Sequence, residues 1–235
     1  MVDIVLLNPA HHADLRVKAG ASAEHGDDQR FVQVVIREFP LLVVHYPILL
    51  SKDAETGAFF CGAMLGIDPG ENLFLDRRGG MTAYRPLNLQ RMPFYAAGDQ
   101  LAIDLDSSRV GTSEGESLFD GDGQPSAFTR NVAAALGELR PGIEATKAFI
   151  ATLLELELIE PIDISLSFDD GETRQLHDLY TIDQERLRGL PDDVALDLFR
   201  RGYLHSISLM VASLKQIPVL ARMRNQRLLP ENAHG

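Results

Sequence analysis

The sequence contains one cysteine, no tryptophan and fewer basic than acidic side chains. Because Cys61 is the single cysteine, the chain cannot form an intramolecular disulfide. A metal site built from several thiolates is excluded for the same reason. The 22 basic and 34 acidic residues give a formal net charge of −12. A nucleic-acid-binding protein needs a concentrated positive surface, so this charge balance predicts no nucleic-acid partner.

The sequence also lacks a long uninterrupted apolar run. Its most apolar stretch, residues 194–220, is broken by Arg200, Lys215 and Pro218 among other residues, so it does not predict membrane insertion. Asp3 stands where a signal peptide would carry basic residues. The sequence therefore predicts a cytoplasmic protein.

The composition is that of a folded globular protein, with 45% hydrophobic and 24% charged residues in a chain of 235. This length allows one large domain or two small ones. Residues 106–125 form the one long stretch that is polar, acidic and glycine-rich. We therefore predict a single domain over residues 1–235, with an acidic surface loop at residues 106–125.

Two segments predict antiparallel hairpins. Residues 43–50 and 58–67 are rich in apolar and β-branched side chains and are separated by turn-forming residues 52–57. Residues 162–168 alternate between apolar and polar side chains, and Asp169, Asp170 and Gly171 connect them to a second strand at residues 173–182. Residues 15–19 and 101–105 predict further strands.

Helical spacing predicts a helix that begins at Asp27 or Asp28 and stops before Pro40. A helix capped by Ser126 is predicted to break or bend at Pro141, and a second helix then continues to about Ile159. A short helix or an irregular turn is predicted near residues 86–93, and further helices are predicted after Asp183 and after Pro191. The fold class is therefore α+β, with antiparallel hairpins and with helices packed mainly on one face.

No catalytic residue is predicted. Residues 111–115 match the sequence of a hydrolase nucleophile elbow around Ser113, but the strand and helix that an elbow requires are missing beside it. A calcium-loop alignment on Gly123 places Leu118 at the first ligand position, which excludes an EF-hand. Cys61 lies in an apolar run, which is typical of a buried and inert thiol.

No metal or cofactor site is predicted either. His11, His12 and Asp14 are close in sequence, but adjacent residues of an extended chain point to opposite faces. No glycine-rich segment precedes a Gly-Lys-Ser/Thr sequence, so a phosphate loop is absent. Basic residues cluster near the C-terminus, at Lys215, Arg222, Arg224 and Arg227. They form either a small anion-binding patch or a solvated helix end, and we favour the helix end.

Several sequence blocks, spread over most of the chain, together resemble the SapC family of bacterial proteins. The blocks are residues 15–17, 39–40, 46–48, 52–53, 56–57, 70–74, 93–94, 118–120, 122–123, 190–191 and 201–203. This resemblance implies a soluble accessory protein, of a kind often encoded near outer-membrane uptake receptors and flavin-dependent halogenase-like genes. It implies no catalytic constellation, and the absence of tryptophan departs from the family pattern.

Polar and charged side chains lie at the ends of the predicted strands, where rigid sheets commonly hold recognition loops. Together with one residue from the resemblance blocks, they define the predicted ligand-binding or partner-binding residues. These are Tyr46, Lys52, Asp53, Glu71, Asn72, Arg85 and Arg91.

Three functions remain open at this point. We favour a binding protein whose partner is an unknown protein or small molecule. The alternative is an enzyme whose pocket the sequence does not reveal, and the third is a component associated with a surface layer. An apolar groove would favour binding, whereas a pocket with perturbed acids, bases or a metal would favour catalysis. Whether the chain forms a homo-oligomer is also open.

Overall fold

The computed structural model describes residues 3–76 and 80–228. Its first seven strands are β1 (Ile4–Leu6), β2 (Arg16–Val17), β3 (Phe31–Gln33), β4 (Ile48–Lys52), β5 (Phe59–Met64), β6 (Phe94–Ala97) and β7 (Gln100–Asp104). The later strands are β8 (Val110–Gly111), β9 (Glu116–Ser117), β10 (Ile159–Pro161), β11 (Ile164–Ser167), β12 (Thr173–Leu176) and β13 (Leu179–Ile182). The helices are α1 (Pro9–His12), α2 (Phe39–Leu42), α3 (Leu87–Gln90), α4 (Ala127–Glu155), α5 (Gln184–Arg188), α6 (Asp192–Arg200), α7 (Tyr203–Ser213) and α8 (Ile217–Leu228).

The fold is α+β, as predicted. The strands pair antiparallel in open sheets, and the pairs β4–β5, β6–β7 and β11–β12 are sequence-local hairpins. Helices dominate the chain after residue 126. The prediction of the fold class is therefore confirmed.

The chain divides into two compact units, and each is assembled from two separate stretches of sequence. The first unit comprises Met1–Asp28 and Leu75–Pro141, and the second comprises Gln29–Phe74 and Gly142–Gly235. The chain passes from the first unit to the second within α4. Whether the chain unfolds as one cooperative domain stays a prediction.

The first unit contains two small sheets. One has the strand order β1-β7-β6, and the other places β2 between β8 and β9. Phe94 of β6 is fully buried and packs edge-to-face on Phe128 of α4, with ring centroids 5.9 Å apart. Buried apolar side chains such as Ile103 and Leu118 complete this core.

Residues 106–125 contain only β8 and β9 as regular structure. Ser113 is exposed, and the segment that follows it is not helical, as the sequence indicated. Asp120 Oδ1 accepts backbone hydrogen bonds from Asp122 (3.1 Å) and Gln124 (2.8 Å), so this aspartate stabilises a turn. Arg109 is buried within the same segment, which therefore also contributes to the interior of its unit.

The second unit is built around a five-stranded antiparallel sheet with the order β10-β13-β4-β5-β3. Both faces of the sheet carry buried apolar side chains. Leu49 and Met64 lie on one face. The other, which we call the core face, carries Val32, Ile48, Leu50, Cys61 and Ile182. Helix α7 contacts β4 and β13.

Aromatic contacts join helices of this unit to one another, and a polar contact joins α7 to the sheet. Phe149 of α4 is fully buried, and its ring centroid lies 6.3 Å from that of Phe39 and 5.3 Å from that of Tyr203. Ser213 Oγ accepts a hydrogen bond of 2.8 Å from the amide of Ile48 and donates one of 2.6 Å to Met210 O. This hydroxyl therefore ties α7 to β4.

The predicted helix between Asp27 and Pro40 is wrong. Residues Phe31–Gln33 form β3, and helical structure begins only at Ile36, with Pro40 in the first turn of α2. Apart from Gln33, the residues from Phe31 to Val35 are aromatic or β-branched, so the run fits a pleated surface once β5 is available as a partner. The long-range pairing overrides the local helical spacing.

The prediction that a second helix starts after Pro141 is also wrong. Helix α4 continues through Pro141 to Glu155, and strand β10 begins at Ile159, where the second helix was expected to end. A proline removes a backbone donor and crowds the preceding turn, which costs stability without always ending a helix. Buried side chains on both sides of Pro141, among them Leu139 and Phe149, hold the helix in place.

The second predicted hairpin is confirmed at its turn, but its return strand is divided. Strand β12 pairs with β11, whereas β13 leaves that hairpin and pairs with β4 and β10. Asp178, between the two strands, has a φ of 61°. Aspartate adopts this left-handed conformation more readily than most residues, so it permits the chain to change direction there.

The continuous helical run Tyr203–Leu228 is long and apolar enough to cross a membrane, by length and composition alone. Only 22% of its most apolar window is buried inside the protein. The absence of membrane insertion therefore stays a prediction.

Candidate ligand-binding groove

The face of the five-stranded sheet opposite the core face carries a groove of about 310 Å³. We call it the sheet groove. It is bounded by strands of the sheet, by the loop that follows β5 and by the segment that joins β12 to β13. Its lining is Arg30, Phe31, Ser51, Met64, residues 66–67 and residues 175–179.

The floor of the sheet groove is apolar and includes an aromatic ring. Phe31 and Met64 are paired across β3 and β5, so their side chains lie on the same face. Phe31 also contacts Phe60 edge-to-face, with ring centroids 5.9 Å apart. A Cβ atom at Gly62 would lie 2.2 Å from Phe31 Cε1, so only glycine allows the ring to lie over the sheet at this position.

One wall of the groove is the turn from β12 into β13. Ser51 Oγ of β4 donates a hydrogen bond of 3.0 Å to Asp178 O, which fixes the turn to the sheet. Backbone in the left-handed region is costly for a residue with a side chain, and such residues cluster at functional sites. The chain therefore changes direction at Asp178 to form this wall. The same residue adds a carboxylate to the lining of the groove.

The other wall is the loop after β5, which Glu71 holds in place. Glu71 Oε2 accepts hydrogen bonds from the amides of Ile67 (2.8 Å) and Asp68 (3.3 Å). Asp68 in turn forms ion pairs with Arg174 of β12 (2.9 Å) and Arg224 of α8 (2.5 Å). These contacts link the loop to β12. The ion pairs of Asp68 therefore support both walls of the groove.

Two of the basic C-terminal residues, Arg224 and Arg227, form contacts with other segments of the protein. Arg224 also lies 3.2 Å from Glu172 and stacks over Phe168, 4.3 Å from the ring centroid. Arg227 donates hydrogen bonds to the carbonyl oxygens of Asn72 (3.3 Å) and Leu73 (2.8 Å). The two arginines therefore attach α8 to the loop after β5, which neither interpretation of this segment anticipated.

Charged side chains lie at the mouth of the sheet groove. The exposed guanidinium of Arg30 donates one hydrogen bond, of 3.4 Å, from Nη1 to Ile67 O. Within the part of the chain that the structure describes, no carboxylate pairs with Arg30. His177 Nδ1 lies 3.7 Å from Asp163 Oδ1, and both side chains are largely exposed. The lining therefore offers the guanidinium of Arg30, the imidazole of His177 and the carboxylate of Asp178.

The predicted binding residues are distributed over both units and have different local roles. Lys52 lies at the end of β4, where its Nζ atom is 4.9 Å from the Phe59 ring centroid and 5.0 Å from that of Tyr180. Tyr46 is fully buried and packs on Phe74, with ring centroids 4.5 Å apart. Tyr46 is therefore part of the core of the second unit.

Asp53 and Asn72 stabilise turns of the second unit. Asp53 Oδ1 accepts hydrogen bonds from the amide (2.8 Å) and the hydroxyl (2.7 Å) of Thr56, and these bonds lower the pKa of the Asp53 carboxyl. Asn72 is buried, and its Oδ1 accepts a hydrogen bond of 2.9 Å from the amide of Phe74. Asn72 therefore has a role in holding the local backbone.

Arg85 and Arg91 belong to the first unit. Arg91 Nη1 donates to Phe94 O (3.0 Å), and its guanidinium lies 4.9 Å from the Tyr95 ring centroid. Arg85 donates to Ala19 O (3.0 Å) and pairs with Asp27 (3.0 Å). Both arginines are thus engaged by their own unit.

Asp27 is the centre of a buried charge cluster that sequence analysis missed. Arg109 pairs with the second oxygen of the Asp27 carboxylate, and both side chains are 1% exposed. Arg109 Nη1 also donates to Lys18 O (2.9 Å) and Gly20 O (2.8 Å). Burial is the main cause that lowers the pKa of the Arg109 guanidinium, and the charge of Asp27 opposes it.

None of the residues that line the sheet groove was predicted as a binding residue. Glu71, which was predicted, lies behind one wall of the groove. The useful signals were Arg30 directly before an aromatic residue and the His177-Asp178 pair inside a predicted strand. Both were ambiguous because Phe31 was assigned to a helix and Asp178 to a continuous strand. The groove exists only because these two segments meet on one sheet face.

Comparison with known proteins identifies the family. A family model described as SapC matches residues 7–220 of the chain. The chain belongs to the SapC family. No curated protein and no solved structure matches it. The SapC match includes every residue that lines the sheet groove and all seven predicted binding residues.

The histidines that the structure describes in this SapC protein do not gather around a metal site. His12 Nδ1 accepts a hydrogen bond of 3.0 Å from the amide of Asn8 and closes the turn of α1. Among residues 3–76 and 80–228, no three His, Cys, Asp or Glu side chains are placed to hold a metal ion.

Cys61 lies on the core face of the sheet and is fully buried. Burial raises the pKa of its thiol from 9.0 to about 12. The thiol therefore stays protonated near neutral pH, and a protonated thiol is a poor nucleophile. This agrees with the inert thiol that the sequence indicated.

We expect Cys61 to make the protein less stable as the pH rises above about 9.0. Below that pH, both the folded and the unfolded chain hold the proton, so Cys61 adds no pH dependence. Above it, the unfolded chain releases the proton while the folded chain retains it up to a pKa of about 12, which favours unfolding. The effect reaches about 1.4 kcal/mol at about pH 10.

The measurement is the free energy of unfolding between neutral and alkaline pH for the parent protein and for Cys61→Ala. The parent should lose more stability than the variant over the alkaline range, whatever constant difference the lost sulfur causes. Parallel pH profiles for the two proteins would contradict the expectation.

Proposed function

We propose that this SapC protein binds a small molecule in the sheet groove. The single observation that carries this proposal is the combination of an aromatic floor with a guanidinium that no described carboxylate neutralises, namely Phe31 beside Arg30. Ligand sites are typically concave and mostly apolar, with a few polar groups that orient the ligand. The volume of about 310 Å³ falls at the lower end of the usual range for such sites.

The chemistry of the groove supports one class of ligand. A flat apolar body would pack on Phe31, Met64 and Leu179, and an anionic group would accept charge-assisted hydrogen bonds from Arg30. Arginine presents a planar set of donors that suits carboxylate, sulfonate and phosphate groups. We therefore propose a small aromatic or alicyclic anion as the ligand.

Two related dyes test this proposal without knowledge of the natural ligand. Anilinonaphthalene sulfonate carries an anionic group, whereas phenylnaphthylamine has a similar ring system without the charge. We expect Arg30→Gln to weaken binding of the sulfonate dye about tenfold and to leave binding of the neutral dye unchanged. Phe31→Ala should weaken binding of both dyes, because both stack on the floor.

The matched control is Arg37→Gln, which removes an exposed arginine of the same unit outside the groove. Fluorescence titration gives the dissociation constants, and circular dichroism checks that each variant is folded. Equal effects of Arg30→Gln and Arg37→Gln on the sulfonate dye would refute the proposed site, because the dye would then respond only to total charge.

From family membership and the sequence resemblance, we further propose the setting of this binding. The protein would act in the cytoplasm as a soluble accessory to an outer-membrane uptake system. Support for this setting comes from the resemblance to SapC proteins encoded beside uptake receptors. Fractionation of cells that carry a tagged chain tests the location, and recovery in the membrane fraction after a high-salt wash would contradict it.

A further inference from the structure

A second groove lies beside the turn of the first hairpin, and we call it the hairpin groove. Its volume is about 560 Å³. One wall is the β4–β5 turn, and the other is a stripe of α4 side chains at helical spacing. The lining comprises residues 33–35, Asp53, Glu55, Thr56, residues 58–60, Ile143, Thr146, Lys147 and Ile150.

Specific contacts hold both walls of the hairpin groove in position. Thr146 Oγ1 accepts a hydrogen bond of 3.0 Å from the amide of Ile36 and donates one of 2.7 Å to Gly142 O. A Cβ atom at Gly142 would lie 2.8 Å from Val35 Cγ2, so α4 packs closely against the chain after β3. The hydrogen bonds from Thr56 to Asp53 order the opposite turn. The groove is therefore preorganised.

The floor of the hairpin groove is apolar, and apolar side chains extend to its rim. Val35 and Ile150 are buried at its base, and Phe59 and Phe60 are partly exposed along it. Ile143 remains 38% exposed at the helical wall. Exposed apolar surface with a polar rim is typical of protein interaction sites.

The rim of the groove carries net negative charge. Asp53 and Glu55 lie on the hairpin turn, and the Glu55 carboxylate has no hydrogen bond or ion pair among the described residues. Lys147 lies on the helical wall, but its Nζ atom is 2.9 Å from Glu144, which offsets its charge. The hydrogen bonds from Thr56 lower the pKa of Asp53, so this carboxylate stays ionised at neutral pH.

We propose that the hairpin groove docks an amphipathic helical segment of a protein partner, with its apolar stripe on the floor and basic side chains facing Asp53 and Glu55. Charge complementarity selects this occupant, because an acidic rim on an apolar groove disfavours an acidic segment and favours a basic one. Helices that bind in grooves present apolar anchors at i, i+3, i+4 and i+7 spacing. This proposal does not depend on the sheet groove.

A designed peptide of about four helical turns serves as the probe. Leucines occupy one face at that spacing, lysines flank them, and a second peptide replaces every lysine by glutamate. We expect the basic peptide to bind in a fluorescence anisotropy titration and the acidic peptide not to bind. Glu55→Lys should weaken binding of the basic peptide about fivefold, and Ile143→Ser should weaken it about tenfold.

Two controls match these variants. Glu185→Lys makes the same change of net charge at an exposed helix position outside the groove, and Leu154→Ser removes an exposed apolar side chain of the same helix outside the groove. Both controls should bind the basic peptide like the parent. Equal losses for Glu55→Lys and Glu185→Lys, or no binding of the basic peptide by the parent, would overturn the proposal.

The same variants separate the two proposals and exclude a second copy of the chain as the occupant. Arg30→Gln should leave peptide binding unchanged, and Glu55→Lys should leave binding of the sulfonate dye unchanged. Analytical ultracentrifugation of the parent and of Glu55→Lys should give the same oligomeric state. A dimer that Glu55→Lys dissociates would assign the groove to self-association and overturn the proposed partner.

Discussion

Asp27→Ala is expected to lower the free energy of unfolding by about 3–5 kcal/mol, because it leaves buried guanidinium charge without its carboxylate. Asp27 and Arg109 are each 1% exposed, and Arg85 is 18% exposed. Asp27 Oδ2 also accepts a hydrogen bond of 2.8 Å from the amide of Ser22, which the variant loses. Chemical denaturation followed by circular dichroism measures the change.

The control for this variant is Asp99→Ala, which removes an exposed aspartate from a turn of the same unit. It should change stability by less than about 0.5 kcal/mol. The double variant Asp27→Ala with Arg109→Leu should cost less than the sum of the two single changes, because it removes both partners of the buried pair. Strictly additive costs would contradict a coupled pair.

Phe149→Ala is expected to lower the free energy of unfolding by about 3–5 kcal/mol, since it deletes a fully buried ring and leaves a cavity. Phe149 joins α4 to Phe39 of α2 and to Tyr203 of α7, so the cavity opens where three helices of the second unit meet. Phe149→Leu fills most of the space and should cost much less. The same denaturation experiment measures both variants.

Leu154→Ala provides the comparison on the same helix, because Leu154 is 47% exposed. Its cost should stay below about 1 kcal/mol, since little apolar surface returns to water. If Phe149→Ala and Leu154→Ala lower the free energy of unfolding by the same amount, the ring of Phe149 does not stabilise the contact between these helices as proposed.

The hairpins were predictable because their information is local. Residues 52–57 contain the turn chemistry for β4–β5, and Asp169 to Gly171 contain it for β11–β12. The caps were local too, since Ser126 Oγ accepts a hydrogen bond from the amide of Thr129 (3.2 Å) and Asp183 Oδ1 accepts one from that of Arg186 (2.8 Å). Such elements need no distant partner to be recognised.

The binding residues were less predictable, because a charged residue at a strand end can serve recognition or local structure. Glu71 was selected as a binding residue, and the structure places it behind the wall of the sheet groove, where it holds two backbone amides. Asp53 does line a groove, but its carboxylate also orders the turn. Sequence position alone does not separate these roles.

The sequence by itself determined the family, the α+β class, both hairpin turns and the helix caps at Ser126 and Asp183, because each depends on neighbouring residues. Only the tertiary structure decided that Phe31 belongs to a strand, that α4 continues through Pro141 and that the chain turns at Asp178. The tertiary structure also pairs Asp27 with Arg109, and it places Arg30 and residues 175–179 around one groove. The physical reason is that these outcomes depend on burial and pairing between distant segments, which outweigh local preferences once the partners are in contact.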